Sequence, residues 1–135
     1  MSAAIDRINP SALPDAGKIG YSQISIAPPG PLAFVSGQVA WRPDGAATPV
    51  SLADQTAIVV DNLQGALDAI HATTDDIVQM RIYMTELTDE TQGIAMSEIL
   101  KFLDGAQPSL TGIGVAALAA PDLQIEVEMV VKVSG

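Results

Sequence analysis

Apolar residues recur along this chain with two different periods. Leu52, Thr56, Val59, Leu63, Leu67 and Ile70 fall at helical spacing, with Asp54, Asp61, Gln64 and Asp68 on the opposite side. That pattern predicts one amphipathic helix, starting at Ser51 and ending near His71. Ser51 followed by Asp54 resembles a capping box at its start. A second helix is predicted over Asp89–Leu103, carrying Ile94, Met96, Ile99, Leu100 and Leu103, with Gly105 as its stop. Elsewhere the period is two. Ile77–Met84 places Val78, Met80, Ile82 and Met84 on one face of a strand and Gln79, Arg81 and Tyr83 on the other. Two further strands are predicted over Ser109–Val115 and Leu123–Val133. In the last of them Ile125, Val127, Met129, Val131 and Val133 oppose Glu126 and Glu128. Near the N-terminus, Tyr21–Ala27 and Leu32–Val39 flank the turn Pro28-Pro29-Gly30-Pro31 and read as a hairpin. Residues 1–20 hold at most one short strand, near Ala3–Ile8.

The order is strands, helix, strand, helix, strands, an α+β arrangement in a single domain spanning residues 1–135. Two helices can cover only one face of such a sheet. The other face mixes Gln79, Arg81, Tyr83, Glu126 and Glu128 with apolar residues. It suits neither a dry core nor an ordinary solvent face, and packing against further copies of the chain explains it best. Hydrophobic residues make up 48% of the sequence, which also points to surface buried between copies.

Charge and cysteine content narrow the function. Six Lys+Arg against sixteen Asp+Glu give a net charge of −10, and the cations are scattered. Binding nucleic acid needs clustered cations to displace phosphate counterions, so nucleic acid is not an expected partner. There is no cysteine, which excludes disulfides, thiolate metal sites and a cysteine nucleophile. His71 is the only histidine and reads as a helix cap or dipole partner. No carboxylate spacing suggests a metal, and no cofactor is expected. Met1–Asp6 lacks a basic segment followed by an apolar one, and no apolar run reaches about 18 residues. A cytoplasmic protein without a membrane span is expected. Trp41 reads as a loop aromatic covering the core.

Several segments, taken in order, resemble one family. Gly20-Tyr21-Ser22-Gln23 is similar to its Gly-Pro-Tyr-Ser-Gln segment without the proline. Phe34-Val35-Ser36-Gly37-Gln38 matches its strand motif. Ala53-Asp54-Gln55-Thr56 and Asn62-Leu63 fit its first helix. Asp75-Asp76-Ile77-Val78 and Tyr83-Met84-Thr85 fit its next strand. Pro108-x-x-Thr111 and Ile125-Glu126-Val127-Glu128 close the match. From about residue 18 to 133 the chain resembles the YjgF family, the reactive-intermediate (enamine/imine) deaminases, also called L-PSP endoribonuclease-like proteins. The resemblance implies a chorismate-mutase-like fold, with a mixed sheet of about six strands and two helices on one face. It also implies a homotrimer with a central barrel and a small-molecule cleft at each subunit interface. In the deaminases that cleft holds a tyrosine, a Ser-Gly backbone, a carboxylate-gripping arginine and a water-positioning glutamate. Carried over, these are Tyr21, Ser36, Gly37 and Glu126. The arginine's position holds Leu110, a position two further on that is often cysteine holds Gly112, and the second-helix asparagine has no counterpart.

Imine hydrolysis needs water beside an electrophilic C=N carbon and a proton delivered to nitrogen as ammonia leaves. A carboxylate in a partly buried setting can do that proton work. Glu126 is the candidate; a solvated strand glutamate fits the same pattern. Tyr21 can stack on a ligand or seal the start of the hairpin. Ser36 and Gly37 can offer backbone N–H groups, and Gly37 equally fits a bulge or a close strand contact. Leucine cannot supply the bidentate fork of an arginine. Leu110, Gly112 and Gly114 share a small apolar strand face, so carboxylated imines are poor expected substrates. Arg81 or Arg42 can supply a substitute cation, and Arg81 can instead pair with Glu126 or Glu128. A non-catalytic metabolite-binding or regulatory trimer is the alternative to a hydrolase with altered specificity. A ribonuclease reading rests on a family name alone.

Overall fold

A computed structural model describes residues 3–134; Met1, Ser2 and Gly135 lie outside the described residues, and with them part of the reading of the first six residues. Six strands and two α-helices follow in the order β1 (Asp6–Ile8), β2 (Ile24–Ile26), β3 (Leu32–Gln38), α1 (Leu52–Ala69), β4 (Ile77–Met84), α2 (Asp89–Leu103), β5 (Ser109–Gly114) and β6 (Ile125–Lys132). Four strands form the main sheet in the order β3-β6-β4-β5. Its pairings are antiparallel except β4 with β5, which is parallel because α2 crosses over between them. β1 and β2 form a separate antiparallel pair.

The expected hairpin between the segments around β2 and β3 does not form. β2 pairs with β1 and β3 pairs with β6. Three of the four residues in Pro28-Pro29-Gly30-Pro31 are prolines, each with a fixed φ and no N–H. The prolines lack the N–H groups that ladder bonds between the two arms would use, and the chain bends at Pro29–Gly30 without pairing them.

α1 begins where the sequence indicates. Ser51 accepts a hydrogen bond from the Asp54 amide at 3.1 Å. Its stripe of Leu52, Thr56, Val59, Leu63 and Leu67 is buried. The helix ends through its backbone, not through the imidazole of His71. His71 adopts a left-handed φ of 53°, its amide donates to the Asp68 carbonyl, and the Ala72 amide reaches back to Leu67. These bonds form a Schellman cap. α2 is capped by the reciprocal pair Thr88 and Thr91. It buries Ala95, Ile99 and Leu103, while Ile94 turns outward at 36% exposure. Trp41 is 49% exposed and does not cover the core.

Both helices lie on one face of the main sheet. The core between the layers joins Leu63, Leu67 and Ile99 to Ile77, Met80, Ile125 and Met129. Ile77 enters this core in place of Val78, because a register shift between Ile77 and Gln79 leaves one extra residue in β4. The opposite face is uncovered in the single chain. Phe34 is 76% exposed there and Leu32 42%.

Candidate functional site

The open face carries the acidic candidates. Ile125, Val127 and Met129 point into the core, so Glu126 and Glu128 project from the other side of β6. Glu126 is opposite Tyr83, and Glu128 is opposite Arg81. Arg81 lies 3.6 Å from Glu128, and the Tyr83 hydroxyl donates to the same carboxylate. Glu128 is thus held by two partners, whereas no hydrogen bond or ion pair engages Glu126 among the described residues.

Glu126 is placed instead by Gly37. In β3 the ladder loses register between Val35 and Gln38, so Ser36 and Gly37 form a bulge. A β-carbon on Gly37 would fall 2.5 Å from Glu126 Oε2 and 2.6 Å from Cδ. Both suggestions for Gly37 are realised: it sits in the bulge, and it admits the Glu126 carboxylate against the backbone. The Ser36 side chain is exposed beside it, and the Ser36 carbonyl accepts from the Gln38 side-chain carboxamide at 3.0 Å.

Tyr21, Leu110 and Gly112 come together elsewhere. Gly20, at φ 109°, lets the chain pass so close to α2 that a β-carbon would meet Leu100 at 2.6 Å. Ser22, buried beyond it, donates to the Gln107 carbonyl at 2.6 Å, and its amide bonds Pro108 at 3.1 Å. This anchors Tyr21 beside β5. Leu110 is adjacent to Met80 and Gly112 to Ile82, on the helix side of the sheet. Tyr21, Leu110 and Gly112 line a cavity of about 250 Å³ with Ile82, Met84 and Met96. Gln92 of α2 also reaches it, a residue that the sequence reading passed over. A signal was present: Gln92, Ala95, Met96 and Ile99 follow helical spacing, so the exposed glutamine lies at the end of the α2 stripe that turns toward the sheet.

Leu110 and Glu126 therefore face opposite sides of one sheet. Arg81 stays with Glu128 on the open face, where it borders a separate hollow of about 210 Å³ with Phe34, Gln79 and Val130. Arg42 pairs with Asp61 at 3.3 Å on the surface. Neither cation lines the Leu110 cavity. No group of three or more His, Asp or Glu that could hold a metal occurs among the described residues, and no described helix is long and apolar enough to cross a membrane.

The hydrogen bond to Glu128 raises the Tyr83 pKa above the ordinary tyrosine value, against the opposing pull of Arg81. Alkaline absorbance titration should show a tyrosinate step above pH of about 10, which disappears in Tyr83→Phe and moves down in Glu128→Gln. The stabilisation from this bond is complete below the unfolded tyrosine pKa. It is lost as pH rises through the higher folded value.

Fold and site together define a class: a two-layer α+β protein with one sheet face uncovered in the single chain and a hollow on each side of the sheet. The family described as Endoribonuclease L-PSP matches residues 12–133. The chain belongs to this family, the YjgF or Rid proteins. It is 35% identical over 98 residues to the RutC family protein YjgH of Escherichia coli, covering 73% of this chain and 74% of that protein. It is 28% identical over 105 residues to TdcF of Escherichia coli, a protein provisionally named a reactive intermediate deaminase, covering 75% and 78%. A Yersinia pestis protein of the Rid family, YyfB, described as of unknown function, superposes with a TM-score of 0.90 at 31% identity, covering 97% of this chain and 100% of that one.

Proposed function

We propose that this protein is a cytoplasmic homotrimeric hydrolase of the enamine/imine deaminase type, with specificity shifted away from carboxylated substrates. The observation that carries the proposal is the division of the site. Glu126 and the Gly37 bulge lie on one face of the sheet, and the Tyr21–Leu110–Gly112 cavity lies on the other. One chain cannot bring both halves to one ligand. Two chains can, when the open face of one packs near the β5 edge of the next. The uncovered Phe34 and Leu32 supply apolar surface for that contact.

In such a cleft Glu126 takes a proton from water as the water oxygen bonds to the C=N carbon. Glu126 passes that proton to the substrate nitrogen, and the product is a carbinolamine. Glu126 then takes the hydroxyl proton as that oxygen becomes a carbonyl oxygen and delivers it to nitrogen; the carbon–nitrogen bond breaks, ammonia leaves, and the enzyme is unchanged. An enamine enters the same course after shifting to its imine form. Glu126 suits this role because no side chain among the described residues bonds to it, unlike Glu128.

The uncharged lining around Leu110 also favours a second reading, a trimer that binds a metabolite without chemistry. Ammonia release from a panel of carboxylated and uncharged imines separates the two; no release from any of them sinks the hydrolase. The shared cleft is tested by mixing chains. Glu126→Ala and Gly112→Val homotrimers should each be inactive, and mixed trimers should recover activity in clefts that draw an intact half from each chain. Inactive mixed trimers would mean that the site lies within one chain.

A further inference from the structure

The cavity beside Tyr21 restricts what it can hold. Its walls at Ile82, Met84, Leu87, Met96 and Leu110 are apolar, and no charged side chain lines it. Two hydrogen-bonding side chains reach it, the Tyr21 phenol and the Gln92 carboxamide. Neither side chain has a protein partner among the described residues. Gln92 stands in the first turns of α2, which the Thr88–Thr91 cap fixes at the cavity mouth.

We infer that Gln92 determines the specificity of this cavity, and that its ligand is a neutral small molecule with a short apolar body and one amide- or carbonyl-type group. This deepens the proposal above and rests on its reading of the cavity as the ligand site. A carboxylate entering here loses its hydration and finds no cation, which disfavours it strongly. A neutral amide keeps its body against the apolar walls. It offers Gln92 an acceptor and a donor, matching the donor and acceptor of that side chain, and the Tyr21 hydroxyl can serve either role. An apolar ligand without such a group forgoes the hydrogen bonds that Gln92 and Tyr21 can make.

Gly112 provides a clean way to block the cavity. A β-carbon there meets nothing within 4 Å, whereas one on Gly114 touches Leu87 at 3.4 Å. A larger side chain at Gly112 fills ligand space and leaves packed neighbours in place.

The test compares isovaleramide with isovalerate, two probes of nearly equal shape and different charge, by calorimetric titration of the full chain at neutral pH. Isovaleramide is expected to bind at least about tenfold more tightly. Gly112→Val should abolish its binding while the protein keeps its melting temperature. Gln92→Leu should weaken the amide about tenfold and leave isovalerate unchanged. Leu110→Arg should reverse the preference. The inference is overturned if isovalerate binds as tightly as the amide, if neither probe saturates, if Gly112→Val leaves amide binding intact, or if Gln92→Leu has no effect. The hydrolase proposal fails separately: a protein that binds isovaleramide in this pattern but releases no ammonia from any imine is a binding protein with the specificity inferred here.

Discussion

Glu126→Gln is expected to lower ammonia release by about 100- to 10,000-fold, the range that general acid–base groups contribute, without loss of the assembled protein. Glutamine keeps the size and polarity of glutamate but cannot accept and return a proton. The carboxylate is half-buried, faces the open side of β6, and has no competing partner among the described residues. Its removal therefore breaks no ion pair, and a melting curve should barely change. Glu128→Gln is the informative contrast. That residue is bound by Arg81 and Tyr83, so its replacement should disturb the open face more than the chemistry. Gly37→Ala should mimic part of the Glu126 loss. The added carbon would fall 2.5 Å from the carboxylate oxygen, so the glutamate must swing away. A displacement near 1 Å can cost about 100-fold in rate. Steady-state kinetics on the best imine of the panel would read this as a fall in kcat. Wild-type rates in Glu126→Gln would remove the glutamate from the mechanism.

Asp76→Ala is expected to destabilise the fold by about 3 kcal/mol, the low end of the cost of breaking a buried pair from one side. At this chain length that shifts the melting temperature down by roughly 10 °C. Lys132, at the end of β6, has a side chain only 9% exposed and lies 3.1 Å from Asp76, itself 19% exposed. The alanine variant would remove the carboxylate that faces this ammonium in a site closed to most water. The same carboxylate accepts from the Thr73 amide at 2.9 Å and closes the capping box before β4. The junction is further held by Arg7, which donates to the Ile77 carbonyl at 2.7 Å and the Asp75 carbonyl at 3.3 Å. One substitution thus loosens β4, β6 and the tie to β1 together. Thermal melts at several protein concentrations check the value, since assembly adds a concentration-dependent share. A shift within a degree of wild type would show that water already reaches the pair.

Much of the fold was legible because periodicity reports burial directly. The bounds of β4 and α2 follow from the alternation at Ile77–Met84 and the stripe through Ile99 and Leu103. Errors fell where local pattern and long-range pairing compete. The segment around β2 looks like a hairpin arm, yet its partner is β1, drawn from the far side of a loop of more than a dozen residues. Val78 fits the apolar alternation, yet a bulge hands its place to Ile77. Gln55 reads as one polar residue among helical neighbours. It is fully buried, donates to the Pro49 and Asp122 carbonyls, and accepts from the Gln124 amide. It thereby ties the start of α1 to the loop before β6. None of these partners lies within a helical turn of it, so no local pattern announces the role.

The candidate site divides in the same way. The sequence by itself supplied its candidates: the family resemblance points to Tyr21, Ser36, Gly37 and Glu126, and Leu110 and Gly112 stand where that resemblance places an arginine and often a cysteine. It also determined that Glu126 and Glu128 share a strand face, because alternation in a strand is fixed by backbone geometry. It could not determine which side of the sheet β5 and β6 turn toward the helices relative to one another. That depends on register across β4 and on the crossover of α2, which are set by packing of the whole core. Only the tertiary structure put Leu110 on the helix side and Glu126 on the open side, gave Arg81 to Glu128, and brought Gln92 to the cavity. A strand's own residues fix which of them share a face; the layer packed against the sheet fixes what that face meets.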